Sequence, residues 1–209
     1  MSSNIRTGAI ILCGGKSSRM GRPKHLLPFG EEVVLQRVVE TLSNVTKKIV
    51  IVAAKDQELP SLPEDCLIVR DEEEFQGPLY GLMIGMKAIV ETVDAVYLTG
   101  CDVPLLKSEF VQFIIQELQD SDVAVTCEEG FFHPLAAIYR TSLSETVAEL
   151  VATGERRPRA LFEKTQTKTI SVEDLRIIDP QLQSLRNMNR PDDYAELLEI
   201  AGISNSTGK

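Results

Sequence analysis

Short apolar runs alternate with amphipathic segments along this chain, and this alternation is the feature that most restricts its fold. The apolar runs predict strands at Ala9–Cys13, Lys48–Ala54, Cys66–Arg70, Asp94–Thr99, Asp122–Cys127, Leu135–Tyr139, Lys168–Val172 and Leu182–Asn187. The amphipathic segments predict helices at Glu32–Leu42, Pro78–Thr92, Lys107–Gln119, Thr141–Ala152, Arg159–Lys164 and Pro191–Ala201. Ser108 is a candidate cap for the third helix, and Gly202 is a typical stop after the last. The pattern predicts an α/β fold with three layers, α/β/α, around a mostly parallel central sheet.

Length and composition fit one domain. The 209 residues are 43% hydrophobic, enough for a sizeable core, and we expect a single domain at residues 1–203 with a disordered tail at 204–209. A net charge of −9 and the absence of Trp argue against a nucleic-acid partner. No apolar run reaches transmembrane length, so we expect a cytoplasmic protein without membrane contact. Four scattered cysteines and two histidines argue against a zinc site.

The loop after the first predicted strand, LCGGKSSRMGRPK at residues 12–24, points to an anion. In an acidic chain it concentrates four basic residues, Lys16, Arg19, Arg22 and Lys24. Adjacent glycines and serines leave backbone N–H groups available, which suits phosphate. A glycine pair alone would equally support a plain turn. The spacing matches neither the P-loop nor the dinucleotide-binding fingerprint, which disfavours both of those classes.

Two aspartates follow other predicted strands and fall on the same edge of the sheet as this loop. Ligands of α/β proteins bind at the carboxyl ends of the strands. Asp102 is well placed to hold Mg²⁺, and the alternative is a turn-initiating Asp before Pro104. Asp71 could accept from a base or sugar, or could belong to a solvated acidic run. The glycines of QGPLYG, at residues 76–81, allow close approach to a ligand.

Two further clusters are less specific. The basic cluster Arg156, Arg157 and Arg159 suits either a second phosphate-bearing substrate or a solvated helix start. Asn187 and Asn189 could recognise the edge of a heterocycle or could cap the last helix. The two histidines are assigned supporting roles, and no Ser–His–Asp set is evident.

At these positions the sequence resembles a known superfamily. LCGGKSSRMGRPK resembles the signature of the nucleotidyltransferases that make sugar nucleotides and cofactor nucleotides, which have a Rossmann-like, GT-A-type fold, also described as nucleotide-diphospho-sugar transferase-like. Within that superfamily the chain is most similar to the molybdenum cofactor guanylyltransferases. The likeness spans nearly the whole chain through Asp71 with QGPLYG, GCDVPLL at 100–106, HPLAAIYR at 133–140 and NMNRPDD at 187–193.

The resemblance implies transfer of GMP from GTP to the terminal phosphate of molybdopterin, with Mg²⁺ and release of pyrophosphate. It implies GTP and molybdopterin as substrates, and transient contact with other proteins that make or accept the molybdenum cofactor. The implied catalytic residues are Lys24, Arg19 and Asp102, with Asp102 also the metal ligand. The implied nucleotide-binding residues are Leu12, Gly14, Gly15, Lys24, Asp71, Gly77 and Asp102, and the implied pterin-binding residues are Asn187 and Asn189.

Departures from the family pattern keep alternatives open. Arg22-Pro23 precedes Lys24 where guanylyltransferases often have Asp, and this form is more typical of molybdopterin cytidylyltransferases. The Asn187/Asn189 pair instead favours the guanylyl reaction. Cys13 replaces the more usual Ala, and Arg190 replaces a common Thr. A further alternative is another small-cofactor or sugar-phosphate nucleotidyltransferase. The last is a non-catalytic nucleotide-binding regulatory protein, against which the joint presence of the lysine and Asp102 argues.

Overall fold

The computed structural model describes residues 5–14, 20–72 and 76–204. Their strands are β1 (Thr7–Leu12), β2 (Pro28–Phe29), β3 (Glu32–Val33), β4 (Lys48–Ala54), β5 (Cys66–Asp71), β6 (Ala95–Gly100), β7 (Val123–Glu128), β8 (Phe131–Arg140) and β9 (Thr167–Ser171). Their helices are α1 (Val34–Ser43), α2 (Pro78–Ile89), α3 (Ser108–Glu117), α4 (Ser144–Ala152), α5 (Val172–Leu175) and α6 (Pro191–Ile200). No helix in this part of the chain is long and apolar enough to cross a membrane.

Seven strands form one sheet in the order β5-β4-β1-β6-β8-β7-β9. β8 runs antiparallel to both of its neighbours, and the other pairings are parallel. Leu12 at the end of β1 pairs with Val52 on one side and with Gly100 on the other. The carboxyl ends of the central strands are therefore level, as the strand-end argument predicts.

Helices cover both faces of the sheet and make the predicted three layers. The α1 and α3 face is packed around Leu35, Val38, Phe110 and Ile114, all almost fully buried. The α2 and α4 face has its own apolar cluster, which includes Leu79, Leu82, Met86, Val147 and Leu150. Because the central strands are covered on both faces, they read in the sequence as unbroken apolar runs, and this is why they are predictable.

A third apolar cluster brings the last helix to the edge of the sheet. Phe29 and Val34, from the β2–β3 hairpin and the start of α1, pack against Met188 and Leu197. Met188 is fully buried there. This packing carries the segment before α6 over to the turn that follows the first loop, so that chain regions far apart in sequence become neighbours.

The strand predicted at Leu182–Asn187 is wrong. That segment forms a 3-10 turn at Gln183–Leu185, and Leu182 before it has a left-handed backbone with φ of 49°. The buried carboxylate of Asp179 accepts the N–H of Ser184 at 2.8 Å, and the turn is closed around it. The two leucines of this segment, Leu182 and Leu185, thus belong to a turn and do not pair with the sheet.

The cap predicted for the third helix is also wrong. α3 begins at Ser108 after the N-cap Lys107, and the Ser108 hydroxyl donates to the carbonyl of Thr41 in the neighbouring α1 at 3.0 Å. The hydroxyl links two helices instead of closing the end of one. The Lys107 ammonium meets Asp179 at 2.8 Å, which fixes the entry into α3.

Several short elements differ from the predictions. The predicted helix at Glu32–Leu42 starts later, because Glu32–Val33 pairs with Pro28–Phe29 in a hairpin of two-residue strands. The helix predicted at Arg159–Lys164 is a 3-10 turn at Pro158–Leu161. The strand predicted at 135–139 extends back to residue 131, and α5 was not predicted at all. These pieces are too short to carry a periodic apolar pattern of their own.

Candidate active site

A cavity of about 990 Å³ opens at the carboxyl edge of the sheet. It is lined by residues that end or follow β1, β4, β5 and β6, and by the start of α2. Six residues predicted from the sequence lie around it: Leu12, Gly14, Lys24, Asp71, Gly77 and Asp102. Gly15 and Arg19, which were predicted with them, lie outside the described residues, as do Lys16, Ser17 and Ser18.

The start of α2 is held against the segment of the basic cluster. Gly77 precedes the helix with φ of 83°, and a Cβ on it would lie 2.9 Å from both the Cβ and the carbonyl oxygen of Arg156. The same carbonyl accepts the N–H of Leu79 at 3.0 Å. Only glycine fits both the backbone conformation and the close approach, which explains this position independently of any ligand. The Arg156 backbone thereby supports Gly77 and the start of α2, which line the cavity.

The other two arginines of that cluster line a different cavity, of about 600 Å³. The Arg159 guanidinium lies 5.5 Å from the centre of the Phe132 ring, in cation–π contact. The Arg157 guanidinium pairs with Glu155 at 3.3 Å. Both cations are therefore engaged locally, and they do not line the large cavity.

Lys24 joins three segments of the chain at the rim of the cavity. Its Nζ lies 3.0 Å from Oδ2 of Asp102 and 2.8 Å from Oδ1 of Asn189. The Lys24 and Asp102 side chains are 18% and 21% exposed, so both are largely withdrawn from water. The backbone carbonyl of Asp102 also accepts the N–H of Met188 at 2.9 Å. The segment before α6 is thus fixed to both partners of the ion pair.

The Asp102 carboxylate folds back over the end of its own strand. A Cβ on Gly100 would lie only 2.6 Å from Oδ1 of Asp102, so a side chain at this position would displace the carboxylate. The glycine in GCD is therefore required by the placement of the acid. When a carboxylate and an ammonium lie side by side, the ammonium can bind a phosphate and the carboxylate can bind the cation that accompanies it.

The two asparagines have different surroundings. Asn189 is exposed, but its side-chain oxygen contacts Lys24, a contact that the sequence did not predict. Asn187, which directly precedes the buried Met188, is also exposed. Neither side chain caps α6, because Arg190 is the N-cap and the Asp193 carboxylate accepts the N–H groups of Asn189 and Arg190, each at 2.8 Å.

A hydrogen-bond network behind Lys24, which we call the Gln57 hub, consists of Gln57, His25 and Arg70. Gln57 accepts the N–H of Ala54 at 2.9 Å and donates to the carbonyl of Cys13 at 3.0 Å. Gln57 Nε2 also lies 3.1 Å from Nδ1 of His25. The sequence does not predict the hub, and its only signal there is a histidine directly after Lys24, the last residue of the loop motif.

The other contacts of the hub fix its orientation. His25 Nε2 lies 2.8 Å from the carbonyl oxygen of Glu58, which can only accept, so this nitrogen carries the proton and Nδ1 accepts from Gln57. Arg70, the residue before Asp71, donates to the carbonyls of Ala54 at 3.0 Å and Gln57 at 2.7 Å. The hub therefore reaches from the lysine turn to the end of β5.

Two buried cysteines form part of the cavity floor. Cys13 and Cys101 follow the paired residues Leu12 and Gly100, and the Cys101 N–H donates to the Leu12 carbonyl at 3.1 Å. A hydrogen bond with the Cys101 thiol, together with burial, raises the pKa of Cys13 well above its usual value. Because a thiol is a poor nucleophile compared with a thiolate, Cys13 is not a group for covalent catalysis at neutral pH.

The described residues contain no cluster of three or more His, Cys, Asp or Glu side chains that could hold a metal ion unaided. Magnesium commonly binds through one or two carboxylates together with substrate phosphates and water. Asp71 and Asp102 both line the cavity, and Asp102, which lies beside the Lys24 ammonium, is the carboxylate that could hold such an ion together with a phosphate.

The chain is similar to one consistent group of known proteins. Residues 9–169 match the model of the MobA-like NTP transferase domain. A Carboxydothermus hydrogenoformans protein named probable molybdenum cofactor guanylyltransferase is 34% identical over 92% of this chain and 95% of its own length. The crystal structure of molybdopterin-guanine dinucleotide biosynthesis protein A from Archaeoglobus fulgidus superposes with a TM-score of 0.75 at 22% identity, covering 94% of this chain and 98% of that one.

A synthase of lower sequence identity shares the fold. The structure of 4-diphosphocytidyl-2C-methyl-D-erythritol synthase from Anaerococcus prevotii has a TM-score of 0.72 at 14% identity, and covers 96% of this chain and all of its own. At such identity the likeness concerns the fold alone.

Proposed function

The chain belongs to the family of MobA-like NTP transferase domains and is a nucleotidyltransferase, and we propose that it transfers GMP from GTP to the terminal phosphate of molybdopterin. The observation that carries this proposal is the contact of Lys24 with Asp102 and Asn189 at the rim of the large cavity. It joins residues of the first loop, of the β6 end and of the segment before α6, three segments that carry the family resemblance.

The reaction forms a bond between an oxygen of the acceptor's terminal phosphate and the α-phosphorus of GTP. The bond between the α-phosphorus and its bridging oxygen breaks, and pyrophosphate leaves with that oxygen. Negative charge builds on the oxygens around the α-phosphorus and on the leaving group. An ammonium held in a partly desolvated position stabilises such charge strongly, because it need not reorganise during the step. Lys24 has this position.

Asp102 would hold the magnesium ion, together with phosphate oxygens of the nucleotide. The ion would offset charge on the triphosphate while GMP is transferred and pyrophosphate leaves. Lys24 would then exchange part of its contact with Asp102 for contact with phosphate. A lysine suits such an exchange, because its ammonium is a compact charge with three donors on a flexible stem. Asn189 would keep the ammonium at the rim during the exchange.

Guanine is favoured by the named relatives and by the segment before α6. Two relatives named probable molybdenum cofactor guanylyltransferase, 34% and 32% identical, match over more than nine-tenths of the chain. Asn187 and Asn189 follow the pattern that the sequence resemblance associates with that branch, in which they serve the pterin substrate. Asp71, at the end of β5 and on the cavity wall, is our candidate acceptor for the base or ribose.

A cytidylyltransferase is the second candidate, supported by one observation. Arg22 and Pro23 both line the cavity directly before Lys24, and this spelling resembles that of the cytidylyl branch. The two residues therefore belong to the surface that a nucleotide would meet, and their identity bears on the base that is accepted.

Pyrophosphate release from the purified protein tests the proposal. With Mg²⁺ and molybdopterin, we expect release with GTP and little with CTP, ATP or UTP. Release with CTP alone would replace the proposal by the second candidate. Thermal unfolding with each nucleotide gives an independent measure, because a ligand of the native state raises its stability. A protein that is stabilised by GTP but releases no pyrophosphate would be a nucleotide-binding regulator instead.

A further inference from the structure

We propose that Gln57 and His25 are positioning residues that fix the Lys24 ammonium relative to the end of β1. This inference rests on the proposed function, since it assigns to Lys24 the role of stabilising the transferred phosphate. Neither residue belongs to the motifs that carry the family resemblance. The proposal follows from where their hydrogen bonds end.

The side-chain amide of Gln57 ties together three separate parts of the site. Its oxygen accepts the N–H of Ala54, the last residue of β4, at 2.9 Å. Its nitrogen donates to the carbonyl of Cys13 after β1 at 3.0 Å and approaches Nδ1 of His25 at 3.1 Å. Both ends of the amide are therefore used, and a displacement of any of the three parts would break a part-buried hydrogen bond.

His25 transfers this constraint to the backbone of Lys24. The imidazole is only 4% exposed, and its second nitrogen donates to the carbonyl of Glu58 at 2.8 Å. The two residues share a peptide bond in the 3-10 turn Lys24–Leu26, which is closed by the N–H of Leu27 donating to the Lys24 carbonyl at 3.2 Å. With the imidazole held at both nitrogens, the Cα of Lys24 has a fixed place.

The far end of the lysine is fixed separately, by Asp102 and Asn189. A long flexible side chain loses rotamer entropy whenever it must adopt one geometry. Holding its root through the hub and its tip through two oxygens removes that cost before the substrate arrives. Preorganisation of this kind lowers the barrier of the chemical step more than it strengthens ground-state binding.

The location of the hub distinguishes the positioning of Lys24 from a purely structural role in the fold. Gln57 and His25 both line the large cavity, so their bonds lie at the site itself. Gln36 offers a matched comparison elsewhere in the fold. Its amide likewise accepts a backbone N–H, from Val33 at 3.0 Å, and donates to a backbone carbonyl, of Ser61 at 2.8 Å. Gln36 does not line the cavity.

The experiment compares Gln57→Leu with Gln36→Leu, using kcat, KM for the nucleotide and the unfolding temperature. Each substitution removes one bridging amide, so both are expected to lower the unfolding temperature. Gln57→Leu is expected to lower kcat by about 10- to 100-fold while KM changes little, because misplacing a catalytic group by about 1 Å has effects of this size. Gln36→Leu is expected to leave kcat near that of the wild type.

Conservative variants at His25 complete the test. His25→Gln keeps a side-chain N–H near the place of Nε2 and is expected to recover much of the kcat that His25→Leu loses. If the leucine variants fold poorly, the kcat of His25→Gln is compared directly with that of the wild type. Equal kcat values for Gln57→Leu and Gln36→Leu, or no recovery in His25→Gln relative to His25→Leu, would overturn the positioning role.

Failure of the proposed function gives a different result. A wild-type protein that uses CTP instead of GTP overturns the choice of base, and the variants are then compared with CTP, where the same ratios of kcat are expected. A wild-type protein that binds a nucleotide but transfers none overturns both the proposed reaction and the positioning role.

Discussion

One strand, β6, has an aspartate at each end, and the two aspartates are used in opposite ways. Asp94 precedes the strand and accepts three hydrogen bonds from Arg6, at 2.9 Å from its N–H, 3.2 Å from Nε and 2.7 Å from Nη2. Asp102 follows the strand and pairs with Lys24 through one contact of 3.0 Å. The first pair is 59% and 41% exposed, whereas the second is withdrawn into the cavity wall.

The difference lies in the partner. A guanidinium fork binds a carboxylate in one geometry, and the hydrogen bonds from Arg6 lower the pKa of Asp94 to about 2. The Asp94 carboxylate therefore holds Arg6, which directly precedes β1, beside the start of β6. An ammonium can exchange partners without losing all its bonds. The aspartate at the amino edge of the sheet is therefore held in one ion pair, whereas the proposed reaction requires the aspartate at the carboxyl edge to be available to the substrate.

The largest expected effect is the loss of activity in Asp102→Ala. We expect turnover to be abolished, a fall of at least about 10²- to 10³-fold, because the metal carboxylate and the anchor of Lys24 are both lost. The unfolding temperature should stay close to that of the wild type. Asp94→Ala is the control at the other end of the same strand, and it should keep full turnover. Wild-type turnover in Asp102→Ala would contradict the assignment of Asp102 to the metal.

Lys24→Ala should lower kcat by roughly 10²-fold or more if the ammonium stabilises charge on the leaving pyrophosphate. Steady-state kinetics separate this effect from binding. The matched cation is Arg6, whose replacement by alanine should reduce stability and leave kcat unchanged. A Lys24→Ala protein with full kcat and a changed KM for GTP would assign the lysine to binding alone.

Asn189→Ala should have a smaller effect, a fall in kcat of about tenfold, because one hydrogen bond to a charged group is lost and the Asp102 contact remains. Asn187→Ala provides the comparison within the same motif. The family resemblance implies that both asparagines bind the pterin, but of the two only Asn189 has a side-chain bond to Lys24 in the structure. A rise in KM for molybdopterin in both variants, with kcat unchanged, would favour the sequence assignment over the contact.

The smallest effect concerns acid stability and involves Asp94 alone. Its folded-state pKa is lowered from 3.8 to about 2, so its ion pair stabilises the fold above its ordinary pKa and ceases to do so as the pH falls towards 2. The difference in unfolding temperature between the wild type and Asp94→Asn should be constant above about pH 5 and shrink between pH 4 and pH 2. A difference that grows on acidification would contradict this account.

Much of the fold is predictable because the central strands are buried on both faces. Lys48–Ala54 has the same bounds in the prediction and in the structure. The error at Leu182–Asn187 has a physical cause, since two leucines three positions apart anchor a turn as readily as a strand when a buried carboxylate such as Asp179 organises the backbone. The hairpin strands of two residues carry too little pattern to be recognised.

Part of the cavity lining was predictable from the strand-end rule. Leu12, Asp71 and Asp102 each end or follow a strand, and the structure gathers them around one cavity. The contact between Lys24 and Asn189 joins residues 165 positions apart and depends on how α6 packs. The spacing of residues within a motif gives no signal of such a long-range contact. The hydrogen bonds of the Gln57 amide also join segments that are distant in the sequence, so local spacing does not predict them.

The reversed direction of β8 has a consequence for how such a cleft can vary. Because β8 runs against β6, its first residues project beyond the carboxyl edge of the sheet, where Leu135 lines the cavity. The connection to β7 is a tight turn at Glu129 and Gly130, both with positive φ. Lengthening or shortening this turn would change the height of that side of the cleft, while the pairing of Leu98 with Ala137 stayed in register. The depth of the cleft is thus a dimension that insertions and deletions can adjust independently of the sheet.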